Sequence, residues 1–491
     1  MREQRIEDIA KRWIGTGAAG WHAYDQATTI MRIQFLGGTD TVTGSMHLIE
    51  ASGCRVVRDV GLFQGRRNEA EALNRALPIQ PGGVQHVVLS HAHIDHCGRL
   101  PWWVAKGYEG PIHATRATAA LAPIMLNDAA HIQESDAAYL NQKTNRRGLP
   151  AVVPLYTRAD ADRAARLLQP HDYHQRIELA PGVAFTSLDA GHILGSALTR
   201  FELTEAGRTV RLGYAVDLGR FNLPLIRDPE FMEPVDVLVM ESTYGNRRHD
   251  DATRADEQLL EVTRRTLDRG GKVLIPSFAL ERAQEIVYHL STLILQGRLP
   301  RVQIHLDSPM ATAISEVFDR HPDYLDEDSR KLYATLGCLT CPPWVRSAVS
   351  VAESKAITAS KAPAIVIAAS GMCEHGRILH HLKHGIENPA NSIVLVGYQA
   401  VYTLGRRLQE GETKVRIFGD EFTRRAEVAA LGAFSGHADV DDLARYAKAV
   451  RPKSIHLVHG EADQREALAE RLRSEGHAQV FLPRQGDEVS L

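Results

Sequence analysis

The sequence predicts an α/β fold in which an α/β domain is inserted into a strand-rich domain. Three observations along the chain lead to this prediction. From Met31 to about Gly245, short apolar runs of strand length dominate, and many end in Gly, Asp or His. From about Asn246 strand patterns alternate with helical ones, and after about Gly411 short strands return. We therefore expect an N-terminal extension at 1–30, one domain in two parts at 31–245 and 411–491, and an inserted domain at 246–410.

The elements follow from periodicity, taken in chain order. Apolar or alternating runs predict strands in the first part at residues 33–36, 47–50, 56–60, 84–89, 183–188, 210–216 and 235–240. A polar, helix-prone stretch lies among them at about 115–169. In the inserted domain we predict strands at 272–276, 302–307, 364–369 and 392–398, and an amphipathic helix at 281–295. The last part has predicted strands at 415–418, 428–434 and 455–458 and a helix at 441–450.

The first 30 residues have a different character. Residues 7–14 have a helical pattern, and the Gly15, Gly17 and Gly20 spacing is formally a dinucleotide-binding pattern. Because no strand precedes those glycines and no βαβ unit surrounds them, we do not interpret them as a nucleotide site. We expect the compact domain to begin at Met31.

Composition limits the class of protein. Hydrophobic residues make up 44% and charged residues 24% of the 491 residues, as in ordinary globular proteins. With a formal net charge of −3, a nucleic acid would have to bind in a locally basic groove. No apolar run is long enough to span a bilayer, and the N-terminus lacks a secretory signal, so we expect a cytoplasmic protein that does not bind membranes. Five scattered cysteines do not form a disulfide framework, and we expect Cys338-Leu-Thr-Cys341 to be incidental rather than half of a zinc site.

The segment His91-Ala-His93-Ile-Asp95-His96 carries the strongest chemical signal. It follows an apolar run that reads as a buried strand, so the four polar side chains stand where a strand gives way to a loop. Imidazoles suit zinc, and carboxylates can bridge two ions. The segment alone could supply most of a dinuclear metal site.

Further ligand-type residues occupy the ends of other predicted strands. The ends of adjacent strands meet in space, so convergence on one site is the economical explanation for these positions. We interpret Asp59 as either a plain strand-end carboxylate or a partner that orients a metal-bound water. The other residues in this series are His192, Asp217, Glu241, His437 and His459.

Together these residues resemble the ligand series of the metallo-β-lactamase superfamily, and Glu241, His437 and His459 resemble motifs A, B and C of its β-CASP branch. The resemblance extends over about residues 31 to 491, with supporting stretches at 42–45, 62–65, 241–245, 275–279, 306–309 and 369–373. It is closest to bacterial and archaeal relatives of the endonuclease subunit of the cleavage and polyadenylation specificity factor. The fold that it implies is an αββα sandwich with an inserted β-CASP domain.

The resemblance also implies ligands and roles. One zinc ion would be bound by His91, His93 and His192, and a second by Asp95, His96 and His459, with Asp217 bridging the two. The implied reaction is hydrolysis of RNA phosphodiester bonds by a two-metal hydroxide mechanism, in which Asp95 and Asp59 belong to the catalytic group. His437, oriented by Glu241, would protonate the leaving oxygen. Because relatives that act on DNA usually carry an apolar residue at the position of His459, this histidine favours RNA.

The resemblance further implies that RNA binds in a narrow groove between the two domains, which would admit single strands. Candidates are Ser370 and Gly371, whose backbone N–H groups precede a predicted helix at 377–383, and the side chains of Arg377, Arg282 and Tyr244. The surface of that helix is the expected location of His380, His381 and His384. Several alternatives stay open: an endonuclease, a 5′ exonuclease or both, a homodimer, a hydrolase acting on DNA or a small molecule, and a catalytically silent RNA-binding scaffold.

Overall fold

The computed structural model describes residues 31–144, 151–249, 254–397, 399–400 and 402–491. The expected N-terminal extension at 1–30, with its helical pattern at 7–14, lies outside these residues, as does Tyr398 at the end of one predicted strand. Within the described ranges, none of the helices combines the length and the apolar character that crossing a bilayer requires.

The first sheet has seven strands. Its first four strands pair antiparallel and the rest pair parallel. Successive residues face opposite sides, so Val57 and Val87 join one core cluster while Val56 and Val88 join another. In spatial order the strands are Glu488–Ser490, Arg32–Gly37, Met46–Ala51, Cys54–Arg58, His86–Val88, Ile112–Thr115 and Leu168–His171.

The second sheet also has seven strands, and it is completed by the C-terminal part of the chain. Ser454–Leu457 lies parallel to Val237–Met240, which lies parallel to Arg208–Ala215. In spatial order the strands are Val480–Phe481, Ser454–Leu457, Val237–Met240, Arg208–Ala215, Ala197–Glu205, Val183–Asp189 and Arg176–Ala180.

The two sheets pack face to face and helices cover their outer sides. The inner core contains side chains of both sheets, among them Phe35 and Val56 of the first and Phe201 and Val239 of the second. Full burial of such a side chain contributes roughly 1.5–3 kcal/mol. The helices beside the first sheet are Leu100–Ala105, Arg116–Thr144 and Arg158–Ala165, and those beside the second are Val440–Val450 and Ala462–Ser474. The predicted αββα sandwich is confirmed.

The third sheet is parallel throughout and belongs to the inserted α/β domain, which is also confirmed. Its strands in spatial order are Val345–Ser347, Ile304–Leu306, Ala364–Ala368, Lys272–Pro276, Ser392–Leu395 and Glu427–Ala430. The helices of this region are Ala255–Asp268, Arg282–Leu295, Pro309–Arg320, Glu327–Leu336, Val351–Ala359, Arg377–Gly385 and Leu404–Gln409. The domain limits stay a prediction, although the last strand of this sheet lies beyond the limit that we expect at 410.

The remaining elements are short. A separate ribbon pairs Lys414–Ile417 with Asp420–Thr423. Two further helices, Arg67–Arg75 and Ile94–Cys97, and three single 3₁₀ turns, Pro81–Gly83, Pro322–Tyr324 and Gly432–Phe434, lie in the connections. Cys338 and Cys341, which we expected to be incidental, form a disulfide, whereas Cys54, Cys97 and Cys373 are free and buried.

Candidate metal centre and active site

Seven predicted metal ligands converge at one edge of the sandwich. They form two groups whose ligand atoms lie within 4.8 Å of one another, and Asp217 is common to both. The first group is His91, His93, His192 and Asp217, and the second is Asp95, His96, Asp217 and His459. Four separate strands, His86–Val88, Val183–Asp189, Arg208–Ala215 and Ser454–Leu457, therefore end near one point, as the positions at strand ends predict.

Asp217 contacts histidines of both groups. Its Oδ2 lies 3.1 Å from His91 Nε2 and 3.1 Å from His96 Nε2, and its Oδ1 lies 3.0 Å from His459 Nδ1. Yet His96 Nε2, Asp217 Oδ1 and His459 Nε2 are buried without a properly aligned hydrogen bond to the described residues. Buried polar atoms are nearly always partnered, so close but misaligned atoms of this kind fit a divalent cation.

The protonation states of the histidines also support a site for a divalent cation. Burial lowers the pKa of His93 to about 3 and also lowers the pKa of His192, which keeps both imidazoles neutral and able to donate a lone pair. Burial lowers the pKa of His96 too, but the carboxylates of Asp217 and Asp59 outweigh it and raise that pKa well above its usual value. Since metal ligands must be deprotonated, cation binding at His96 would release a proton.

Asp59 is not a member of either ligand group, but its carboxylate contacts His96 and holds that ring in place. Its Oδ2 accepts hydrogen bonds from His96 Nδ1 at 2.8 Å and from Ser90 Oγ at 2.8 Å, and its Oδ1 accepts one from the Arg58 guanidinium at 2.7 Å. Burial raises the pKa of this carboxyl, but Arg58 and His96 outweigh it and hold the pKa at about 2. These contacts give Asp59 a positioning role toward His96, and the orientation of a metal-bound water by Asp59 stays a prediction.

Glu241 and His437 form an adjoining pair. His437 Nδ1 lies 3.5 Å from Glu241 Oε2, and Asp217 lies close enough to group with them. The His437 and His192 rings are 4.5 Å apart, centre to centre. Burial lowers the pKa of His437, but the Glu241 carboxylate outweighs it and raises the pKa to about 9. The arrangement keeps a protonated imidazole beside the metal ligands.

Two of the predicted RNA contacts are occupied by contacts within the protein. The Arg377 guanidinium donates to Asp307 Oδ1 at 2.7 Å and to the carbonyls of Ala348 and Val349. Ser370 N–H donates to His375 O, and a loop separates Ser370 and Gly371 from the helix that begins at Arg377. The Arg377 side chain and the Ser370 N–H are therefore engaged within the protein, whereas the contact expected at Gly371 stays a prediction.

Arg282 and Tyr244 do lie beside the centre. Arg282 packs over the ring of Phe434, 5.8 Å from its centre, and forms an ion pair with Glu285. The Tyr244 ring lies 6.0 Å from that of His437. On the predicted helix, His380 and His384 are exposed as expected. His381 is buried and bonds to Asp307, so the expectation of a surface position is wrong for this residue.

Sequence reasoning missed a carboxyl that connects the inserted domain to the ligand loop. Glu281 Oε2 accepts a hydrogen bond from the N–H of Leu194 at 2.9 Å, two residues after His192. Burial raises the pKa of Glu281 to about 8, and its backbone adopts φ of 67°. Glu281 stands at the start of the predicted amphipathic helix, so the sequence indicates where it lies along the chain. Its hydrogen-bond partner Leu194 is 87 residues away, and the sequence pattern does not indicate that contact.

Sequence models of three families match the chain. They are the metallo-β-lactamase superfamily at residues 39–171, the β-CASP domain at 283–408, and the Zn-dependent metallo-hydrolase RNA specificity domain at 422–483. The metallo-β-lactamase fold implies that the centre binds divalent metal.

Curated relatives match along most of the chain. Ribonuclease TTHA0252 of Thermus thermophilus is 39% identical, over 94% of this chain and 100% of the relative. Transcription termination factor FttA of Methanocaldococcus jannaschii is 30% identical, over 94% of this chain and 71% of the relative. A solved structure, a protein of unknown function from Enterococcus faecalis, has a TM-score of 0.56 over 94% of this chain and 100% of its own, with 14% identity, which supports the fold alone.

Proposed function

Because the chain belongs to the β-CASP family of the metallo-β-lactamase superfamily, we propose that it is a metal-dependent ribonuclease that hydrolyses single-stranded RNA. The observation that carries the proposal is that Asp217 groups with both sets of metal ligands and with the Glu241–His437 pair. A relative named as a ribonuclease, which the chain matches over its whole length, supports RNA as the substrate. RNA processing or degradation in the cytoplasm is the proposed setting.

The proposal includes two zinc ions per chain. His91, His93 and His192 would hold one, Asp95, His96 and His459 the other, and Asp217 both. Such ions supply Lewis-acid activation of water and of the phosphodiester. The donor set of imidazoles and carboxylates suits zinc, and the three unpartnered buried atoms support cation binding there.

His437 is the proposed general acid. Its Nδ1 faces Glu241 Oε2, which leaves the Nε2 proton for the oxygen that departs from phosphorus. Because the carboxylate stabilises the imidazolium, the ring is protonated near neutral pH. Proton transfer as the P–O3′ bond breaks yields a 3′-hydroxyl, and the other product carries a 5′-phosphate. Arg282 and Tyr244, which lie next to His437, remain the candidates for contacts to the RNA backbone.

Matched single-stranded RNA and DNA, labelled at the 5′ end, test the proposal. We expect cleavage of RNA that a chelator abolishes and added Zn²⁺ restores, with close to two zinc ions per chain by elemental analysis. Preferential cleavage of DNA would contradict the choice of substrate. RNA binding without cleavage by the zinc-loaded protein would instead indicate a silent scaffold.

The same assay distinguishes the two ribonuclease modes. An endonuclease should release internal fragments from RNA with either a 5′-phosphate or a 5′-hydroxyl. A 5′ exonuclease should release mononucleotides and respond to the state of the 5′ end. Sedimentation of the same preparation tests the proposed homodimer, and a mass equal to one chain would contradict it.

A further inference from the structure

A second reactive site lies in the inserted domain, in the loop between helix Glu327–Leu336 and strand Val345–Ser347. Cys338 and Cys341 are joined there as a disulfide. The two sulfurs differ in environment, because Cys338 is only 4% exposed whereas Cys341 is an exposed residue. Cys341 is therefore the more accessible residue of the pair for an incoming thiol.

A carboxyl accompanies the pair. Asp319, in the last turn of helix Pro309–Arg320, has a carboxylate oxygen within 4.8 Å of both sulfurs. Its Oδ1 accepts a hydrogen bond from Leu339 N at 3.1 Å, and Thr340 Oγ1 lies 3.5 Å from its Oδ2. Both residues between the cysteines thus contact Asp319, and the side chain of Leu339 is buried. The carboxyl is held beside the bond by the loop itself.

We propose that Cys338, Cys341 and Asp319 form a thiol–disulfide exchange site that reacts with dithiol reductants, separate from the hydrolytic centre. The reductant's thiolate attacks Cys341 Sγ, and the new sulfur–sulfur bond forms as the Cys338–Cys341 bond breaks. Cys338 Sγ leaves with the electron pair and takes a proton from the Asp319 carboxyl, which solvent then reprotonates. The reductant's second thiolate then attacks the reductant sulfur of the mixed disulfide. The reductant's internal disulfide forms as the bond to Cys341 breaks, and Cys341 leaves as a thiolate that takes a proton from solvent. Two electrons pass to the protein, which ends with two thiols, and the reductant ends as a disulfide.

The state of Asp319 suits this role. Burial raises the pKa of Asp319 and outweighs the hydrogen bonds from Leu339 and Thr340, which lower it, so more of the carboxyl carries a proton than in water. On the helix across the loop, Tyr333 donates its hydroxyl proton to the backbone carbonyl of Asp319 and leaves the carboxyl oxygens to the loop. A proton donor at the buried sulfur matters because a thiolate released there has no water to stabilise it.

Thiol labelling of the full-length protein tests the proposal. The oxidised protein is treated with dithiothreitol, quenched with iodoacetamide at intervals, and analysed by peptide mass spectrometry. We expect Cys338 and Cys341 to become labelled together, with Cys54, Cys97 and Cys373 protected until the chain is unfolded. Trapping of early mixed disulfide should find the reductant on Cys341. Attachment to Cys338, or labelling of both cysteines before any reductant is added, would overturn the proposal.

Replacement of the carboxyl by an amide isolates the proton transfer. Asp319→Asn keeps an oxygen that accepts a hydrogen bond from Leu339 N, so the melting temperature should be that of the wild type. The rate of disulfide reduction should fall by roughly tenfold or more. Added acetate buffer should restore part of the rate, because acetic acid replaces the missing donor. Asp328→Asn, at an exposed position, is the matched control, and its disulfide should be reduced at the wild-type rate. An unchanged rate in Asp319→Asn, or a zinc ion held by the reduced pair that blocks its reoxidation, would overturn the exchange role.

Discussion

Asp59, Asp217 and His459 leave their strands with φ of 60°, 55° and 50°, a region that residues other than glycine seldom occupy. Each such residue costs on the order of 1–3 kcal/mol, and such strain is typical of functional sites. All three side chains lie at the candidate centre. The sequence predicted these positions, since each ends an apolar run, but it did not show that Asp59 holds a ligand. That distinction depends on hydrogen bonds to Ser90 and His96, which pattern alone does not reveal.

Asp59→Asn should weaken metal retention. Without the carboxylate, the His96 ring is no longer held in the orientation that binds metal. The loss of such a contact lowers metal affinity by roughly 10–100-fold. The measurement is zinc content after dialysis against graded concentrations of a chelator. Asp40→Asn, an exposed carboxylate near the end of the first strand, is the control and should retain metal as the wild type does. Equal retention by both variants would show that Asp59 does not position a ligand.

His437→Ala should abolish most RNA cleavage and leave zinc in place. A general acid contributes typically 10²–10⁴-fold to the rate, so kcat should fall by about that factor. Glu241→Gln should reduce kcat in the same direction, because the pKa of His437 depends on that carboxylate. Elemental analysis of both variants is the control. Loss of zinc from His437→Ala would reassign the residue as a ligand.

Among the elements, helix Arg282–Leu295 shows how packing departs from sequence expectation. Its apolar face was predicted, and Ile286 and Leu290 are buried as expected, but His289 on the same helix is buried too. The ring donates to Asp256 Oδ1 at 2.6 Å from the neighbouring helix Ala255–Asp268. Arg377 also bonds to a residue of another element, because its partner Asp307 is 70 residues away along the chain. Periodicity predicts which face of a helix is buried, and it cannot supply a partner on another element.

The protonation of His289 should stabilise the protein at low pH. Burial lowers its pKa, but Asp256 and Glu285 outweigh it and raise the pKa from 6.5 to about 9. The folded chain binds this proton more tightly, so the stabilisation is complete below pH 6.5 and is lost as the pH rises through about 9. Urea unfolding of wild type and His289→Gln at pH 6 and 9.5 should show a stability difference that shrinks at the higher pH. His131→Gln, at an exposed position, should show no such trend.

Gly219 permits the close approach of two loops that carry the site. A Cβ there would lie 1.8 Å from the carbonyl oxygen of Gly191, which precedes His192. Gly219→Ala should therefore destabilise the fold by about 1–3 kcal/mol and displace His192, which lowers zinc affinity as well. Gly82→Ala, whose Cβ would meet its nearest neighbour at 3.4 Å, is the control. Wild-type melting and zinc content in Gly219→Ala would contradict this steric account.

At the scale of the whole molecule, the metal centre depends on both ends of the sandwich domain. Strand Ser454–Leu457 lies beside Val237–Met240 in the second sheet, and His459 lies two residues after its end. The sequence predicted the interrupted domain because strand patterns return after the insertion. It did not predict that Glu427–Ala430 joins the third sheet, since a short strand carries no signal for which sheet it enters.

Removal of the residues after Leu431 should prevent folding of the sandwich. The truncated chain loses the strand next to Val237–Met240, its covering helices Val440–Val450 and Ala462–Ser474, and the ligand His459. We expect aggregation on expression and no cooperative thermal transition for the sandwich. Coexpression of residues 432–491 as a separate chain is the control. If the truncated chain lacks only this segment, the two chains should form a soluble complex that binds zinc. A truncated chain that melts cooperatively and binds zinc would contradict this dependence.

The order of the ligands along the chain also sets when the centre can form during synthesis. Most ligands leave the ribosome early, at His91–His96, whereas His459 emerges only after the whole inserted domain. At about 5–20 residues per second, that interval lasts tens of seconds. A nascent chain therefore cannot complete its metal centre until nearly all of its residues have been synthesised.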